Sequence, residues 1–88
     1  MKLKYDFAVR EIVGEYVMIP LGEGALKFSG MISTSETGAT LVGASNNHVS
    51  RQELLQLLLE QFEIDEATAS ADLDDFLMQL RKLYLLID

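Results

Sequence analysis

The sequence predicts a small α+β domain: a three-stranded antiparallel β-meander followed by three α-helices. Three observations carry that prediction. From Glu66 to Tyr84, the apolar residues Ala69, Leu73, Phe76, Leu77, Leu80, Leu83 and Tyr84 recur at helical spacing. Asp72, Asp74, Asp75, Gln79, Arg81 and Lys82 fall outside that stripe. Leu26, Phe28 and Ile32 alternate instead with Lys27, Ser29 and Ser33, the period of a half-buried strand. Gly14, Pro20, Gly22 and Gly24 cut the region before them into short runs of strand length.

The first two strands run from Phe7 to Val13 and from Tyr16 to Ile19. Gly14-Glu15 lies between them as a two-residue turn with positive φ at the glycine. Pro20 ends the second strand because it has no N–H to donate. Leu21 to Ala25 reads as a loop, and Leu26 to Ser33 as the third strand, with Gly30 as a bulge. If pairing follows chain order, the first and third strands are the sheet edges.

Thr34 or Ser35 caps a first helix through Val42, which Gly38 weakens by about 1 kcal/mol relative to alanine. Gly43 to Val49 is a polar turn. Ser50 and Glu53 form a capping box for a second helix from Arg51 to Phe62. Its residues Leu54, Leu55, Leu57, Leu58, Leu59 and Phe62 cover more than half its circumference, so it is buried on more than one side. Asp65 caps the third helix, which Arg81 and Lys82 close in agreement with its dipole. Leu85 to Ile87 ends as an extended tail packed on the core.

With 88 residues and no internal repeat or linker, one domain is expected to cover 1–88. A chain of this size buries roughly 60% of its unfolded surface, so the core is modest. The absence of cysteine removes disulfides, thiolate metal sites and cysteine nucleophiles, and it fits a reducing cytoplasm. The N-terminal segment lacks the apolar stretch of a signal peptide, and Leu83 to Ile87 is too short to span a bilayer, so no membrane partner is expected. Charge is lopsided: net −1 over residues 1–50 and net −6 over residues 51–88. A helical half of that sign repels phosphate, and nucleic acid is not expected as a partner.

Catalytic parts are missing. His48 stands in a polar turn with no second metal ligand and no nucleophile in a motif beside it. Asp72, Asp74 and Asp75 point apart on a helix and cannot chelate one ion. Gly22-Glu23-Gly24 lacks the third glycine and following helix of a nucleotide loop. The reading is therefore of a non-enzyme with no catalytic residue, metal or cofactor. Met78, on the outer side of the third helix, is an isolated surface residue. What remains is a strand edge beside an apolar helix, where an extended peptide can add as a further strand.

The segment FAVREIVGEYVMIP resembles the opening of the PqqD family, the small proteins of pyrroloquinoline quinone biosynthesis and their relatives. The segments SETGA, SRQELLQLLLEQFEID and DLDDFLMQLRKLYLL are similar to the family's continuation, in the same order. The resemblance implies a winged helix-turn-helix fold. It also implies a RiPP recognition element, a chaperone that captures the leader segment of a ribosomally made precursor peptide and presents it to a modifying enzyme, commonly a radical SAM (S-adenosylmethionine) enzyme. Carried over by position, the peptide-binding residues are Lys27, Phe28, Ser29, Gly30, Met31 and Ile32 on the strand. On the helix they are Asp72, Asp75, Phe76, Gln79, Leu80 and Leu83. Two departures mark a divergent member: Val42 where relatives often carry a bulky aromatic, and a polar turn from Ala44 to Val49. Two other functions fit the same fold class: a winged-helix DNA-binding regulator, for which Arg51, Arg81 and Lys82 are few cations, and a structural protein forming a homodimer through the strand edge.

Overall fold

The computed structural model describes residues 1–27 and 30–87. In chain order its elements are β1 Lys2–Leu3, β2 Phe7–Ile12, β3 Glu15–Pro20, α1 Glu23–Lys27 and β4 Ile32–Thr34, then α2 Glu36–Ser45, α3 Arg51–Gln61, α4 Glu66–Lys82 and β5 Leu86–Ile87. Strands β2, β3 and β4 form the three-stranded antiparallel sheet that the sequence predicts, in that order. A second, two-stranded ladder joins β1 to β5 through Lys2↔Ile87 and Leu3↔Leu86. The Met1 ammonium also donates to the Val49 carbonyl at 2.7 Å, so the first residues are tied to both later segments.

The β2–β3 ladder runs from Phe7↔Pro20 to Ile12↔Glu15. The turn is therefore Val13-Gly14, with φ of 51° and 81°, a two-residue primed turn; Glu15 already belongs to β3. Gly14 supplies the positive φ expected of it, but the turn lies one residue earlier than the sequence pattern indicates.

The third strand requires a larger correction. Leu26 and Lys27 close the five-residue helix α1, and β4 holds only three residues, Ile32 to Thr34. Alternation predicts a strand only if one face is covered, and Leu26 is 87% exposed. Gly30, at φ 95°, leaves the β region altogether. Gly24 allows α1 to lie against the start of the sheet, since a Cβ there would meet Tyr5 Cβ at 2.7 Å. The expected strand residues Phe28 and Ser29 lie outside the described residues.

One face of the sheet and the three longer helices share an apolar cluster. Phe7, Met18 and Ile32 come from the sheet, Leu41 and Val42 from α2, and Leu54, Leu55 and Leu58 from α3. Ala69, Leu73, Phe76, Leu77 and Leu80 come from α4. A fully buried leucine such as Leu58 contributes about 1.5–3 kcal/mol by leaving water. α2 packs on β2, β3, α3 and α4, which makes it the central layer, and it runs on to Ser45 rather than stopping at Val42.

Each of the three longer helices starts on a capping side chain. Ser35 Oγ accepts from Gly38 N at 3.0 Å and Asp65 Oδ1 from Thr68 N at 2.8 Å. Ser50 and Glu53 make both bonds of the predicted capping box. α4 ends in a Schellman arrangement: Leu85 N donates to Leu80 O and Tyr84 N to Arg81 O, with Tyr84 at φ 58°. That turn removes Tyr84 from the apolar stripe assigned to it, and it is 83% exposed.

Candidate functional site: a groove between β4 and α4

β4 leads through the cap residue Ser35 directly into α2, and α4 stands opposite. An open groove of about 480 Å³ lies between them. One wall is Ser33, Thr34, Ser35 and Gly38; the other is Asp72, Asp75, Phe76 and Gln79. The second set follows i, i+3, i+4 and i+7, one face of a helix.

Backbone orientation on the first wall follows from the register. Ile32 and Thr34 face Met18 and Tyr16, and Ser33 faces Val17. Gln79 Nε2 donates to the Ser33 carbonyl at 3.3 Å from the groove side, so that carbonyl points away from β3. In an extended strand the N–H of the same residue points the same way. Ser33 thus presents both backbone groups to the groove, while Ile32 and Thr34 turn theirs toward β3.

The opposite edge of the sheet is covered at its first residue, Phe7. Asn46 Oδ1 accepts from Phe7 N at 3.3 Å, and Asn46 Nδ2 donates to Phe7 O at 3.2 Å. One side-chain amide pairs there with both backbone groups of Phe7, as a neighbouring strand would. At β4 only the acceptor is covered.

Of the residues carried over from the family, Asp72, Asp75, Phe76 and Gln79 line the groove. Leu80 is 1% exposed and lies in the core beneath it, and Leu83 is half-buried at the C-cap of α4. Ile32 points into the core, Met31 is 60% exposed, Gly30 is an exposed bend and Lys27 ends α1. Phe28 and Ser29 lie outside the described residues. The strand half of the groove is built instead from Ser33, Thr34, Ser35 and Gly38, one step further along the chain. Gly38 carried a signal for this: a glycine inside a helix is a mark of close approach as well as of a weak helix.

The groove is acidic on its helical side. Asp72 and Asp75 make no hydrogen bond or ion pair among the described residues. Asp74, on the next face, holds Arg51 at 2.8 Å, and the same guanidinium donates to Ser70 Oγ at 2.8 Å. Arg51, the single cation of α3, is thus committed within the protein, which weighs against α3 as a DNA-reading helix. Outside the groove lining, the Tyr16 phenol is pushed above its ordinary value, first by the Glu11 carboxylate, then by burial and by Glu36. The Asp65 carboxyl is held low by its bonds to Thr68. His48 is exposed. Among the described residues, no group of three or more His, Asp or Glu is placed to hold a metal ion, and no helix is long and apolar enough to cross a membrane.

No curated protein matches the chain. The solved structure of TbiB1 in complex with the TbiA(beta) leader peptide is similar over 100% of both chains, with a TM-score of 0.67 and 21% sequence identity, a likeness of fold. The family model of Coenzyme PQQ synthesis protein D (PqqD) matches residues 15–86, which takes in β3, β4, all of α2 to α4 and both walls of the groove, and on that match the chain belongs to the PqqD family.

Proposed function

We propose that this chain is a RiPP recognition element: it captures the leader segment of a ribosomally made precursor as an added strand along β4 and presents it to a modifying enzyme. The observation that carries the reading is the outward-facing backbone of Ser33 in a groove walled by α4. Family membership supports it, and so does the shared fold with TbiB1, a protein solved with a leader peptide bound. Upstream, Gly30 and Met31 and the segment Lys27 to Ser29 are proposed to lie along the same peptide, with Ile32 holding the strand to the core.

The mechanism needs no catalytic residue. Ser33 exchanges a pair of backbone hydrogen bonds with the leader, each worth about 0.5–1.5 kcal/mol net. Side chains of the added strand alternate, so every second one turns toward Phe76 and Leu83, and each apolar group buried there adds about 1.5–3 kcal/mol before ordering costs. Asp72 and Asp75 favour a neutral or basic segment over an acidic one. The enzyme partner is proposed to be of the radical SAM class, on the family's habit.

The test is Ser33→Pro. Proline removes the outward N–H and leaves the β3 ladder intact, because Ser33 does not donate to β3. The probe is a labelled synthetic peptide of the candidate leader, to be read from a short reading frame neighbouring the chain's own gene. Wild type should bind, and Ser33→Pro should weaken binding at least about tenfold with thermal melting little changed. Equal binding by the folded variant would contradict strand addition at β4.

A further inference from the structure

Both edges of the sheet are met by a side-chain amide, and the two contacts differ. Asn46 engages both the donor and the acceptor of Phe7, at the start of β2. Gln79 engages only the acceptor of Ser33 and leaves the Ser33 N–H facing an open groove. Among the described residues, no other side chain donates to β4. A carboxamide N–H and a peptide N–H are equivalent donors to a carbonyl. The Gln79 amide therefore stands where the first backbone N–H of an added strand must go.

We infer that Gln79 is a placeholder for the incoming strand, held on the Ser33 carbonyl in the free protein and exchanged for a peptide N–H when a leader docks. This rests on the reading of β4 as the docking edge and adds to it a residue that sets affinity and register. Glutamine suits the role. It is long and rich in rotamers, so it swings away without moving α4. A covered acceptor also makes the edge a poorer template for a second copy of the chain. Asp72 and Asp75, on the same helix face, have only acceptors when ionised and cannot replace it.

The experiment compares wild type with Gln79→Met, which keeps the side chain's reach and removes its donor, using the neighbouring-frame leader peptide as probe. Losing a competitor worth one neutral hydrogen bond should tighten binding about 2- to 12-fold, chiefly through faster association. In spectra of the free protein the Gln79 side-chain NH₂ should show one bonded and one solvent-exposed proton, and peptide saturation should change the bonded one while protecting the Ser33 amide. Weaker or unchanged binding by Gln79→Met overturns the placeholder, as does a fully solvent-exposed Gln79 amide in the free protein. Ser33→Pro separates the two ideas. If it abolishes binding and Gln79→Met does not tighten it, the placeholder alone fails. If leader binding is absent or indifferent to Ser33→Pro, the docking edge fails and the placeholder with it.

Discussion

Gly38, in the first turn of α2, sits against Thr34 at the end of β4: a Cβ added at position 38 would overlap Thr34 Oγ1. This contact lets the strand edge and the helix N-terminus meet at the groove. Alanine is the better helix former by about 1 kcal/mol, yet Gly38→Ala should destabilise the protein by about 1–3 kcal/mol through overpacking. Thr34→Ala in the same chain leaves Thr34 Cβ at 3.4 Å and should restore the loss. Chemical denaturation of the two single variants and the double variant measures the coupling. Additive effects would contradict the contact.

Val13 occupies the first position of the β2–β3 turn at φ 51°, and it is 98% exposed. A β-branched residue is strained there, and asparagine tolerates the left-handed region. Val13→Asn, giving an Asn-Gly primed turn, should raise stability by about 1 kcal/mol in thermal melts.

Ser45, at the end of α2, is 1% exposed, and its hydroxyl has no hydrogen-bond partner. An unsatisfied buried hydroxyl costs about 1–3 kcal/mol, so Ser45→Ala should stabilise the protein by about 1 kcal/mol or more. A lower melting temperature would mean the hydroxyl has a partner after all.

Asp65 caps α4 with its carboxyl held below the ordinary 3.8, first by the side-chain hydrogen bond with Thr68 and then by the Thr68 backbone N–H. A depressed folded value means a contribution fully present above the unfolded value and lost as pH falls through the folded one. Stability should therefore drop on acidification below about pH 5. Asp65→Asn keeps a capping oxygen without the titration and should flatten that drop. Denaturation midpoints measured down to about pH 2 check this, and identical slopes would contradict it.

Local chemistry explains how much of this was legible in sequence. Ser50 with Glu53, and Asp65 ahead of Thr68, name their own partners within four residues, so α3 and α4 begin where the sequence places them. The apolar stripe of α4 fixes which side meets the core, and so puts Asp72, Phe76 and Gln79 on one flank. The strand wall was harder to read. Leu26, Lys27 and Ile32 satisfy an alternation rule that cannot see whether Leu26 will be covered, and Gly30 breaks the strand by its dihedral alone. In sequence only the family resemblance points to Gln79, because its partner Ser33 lies 46 positions away and no spacing rule links them. In sequence Gly38 reads as a weak point in a helix, whereas in the fold it makes the close approach to Thr34. Phe76 is 5% exposed, so a charge placed there tests the core as much as the groove, and Ser33 is the cleaner position to change.

The most direct test of the account is amide hydrogen exchange at Ser33, followed by NMR with and without the neighbouring-frame leader peptide. The account predicts that the Ser33 amide, open to the groove in the free protein, becomes strongly protected at saturation while resonances of Asp72, Asp75, Phe76 and Gln79 shift with it. A complex that forms while Ser33 exchanges at its free rate would contradict strand addition at β4.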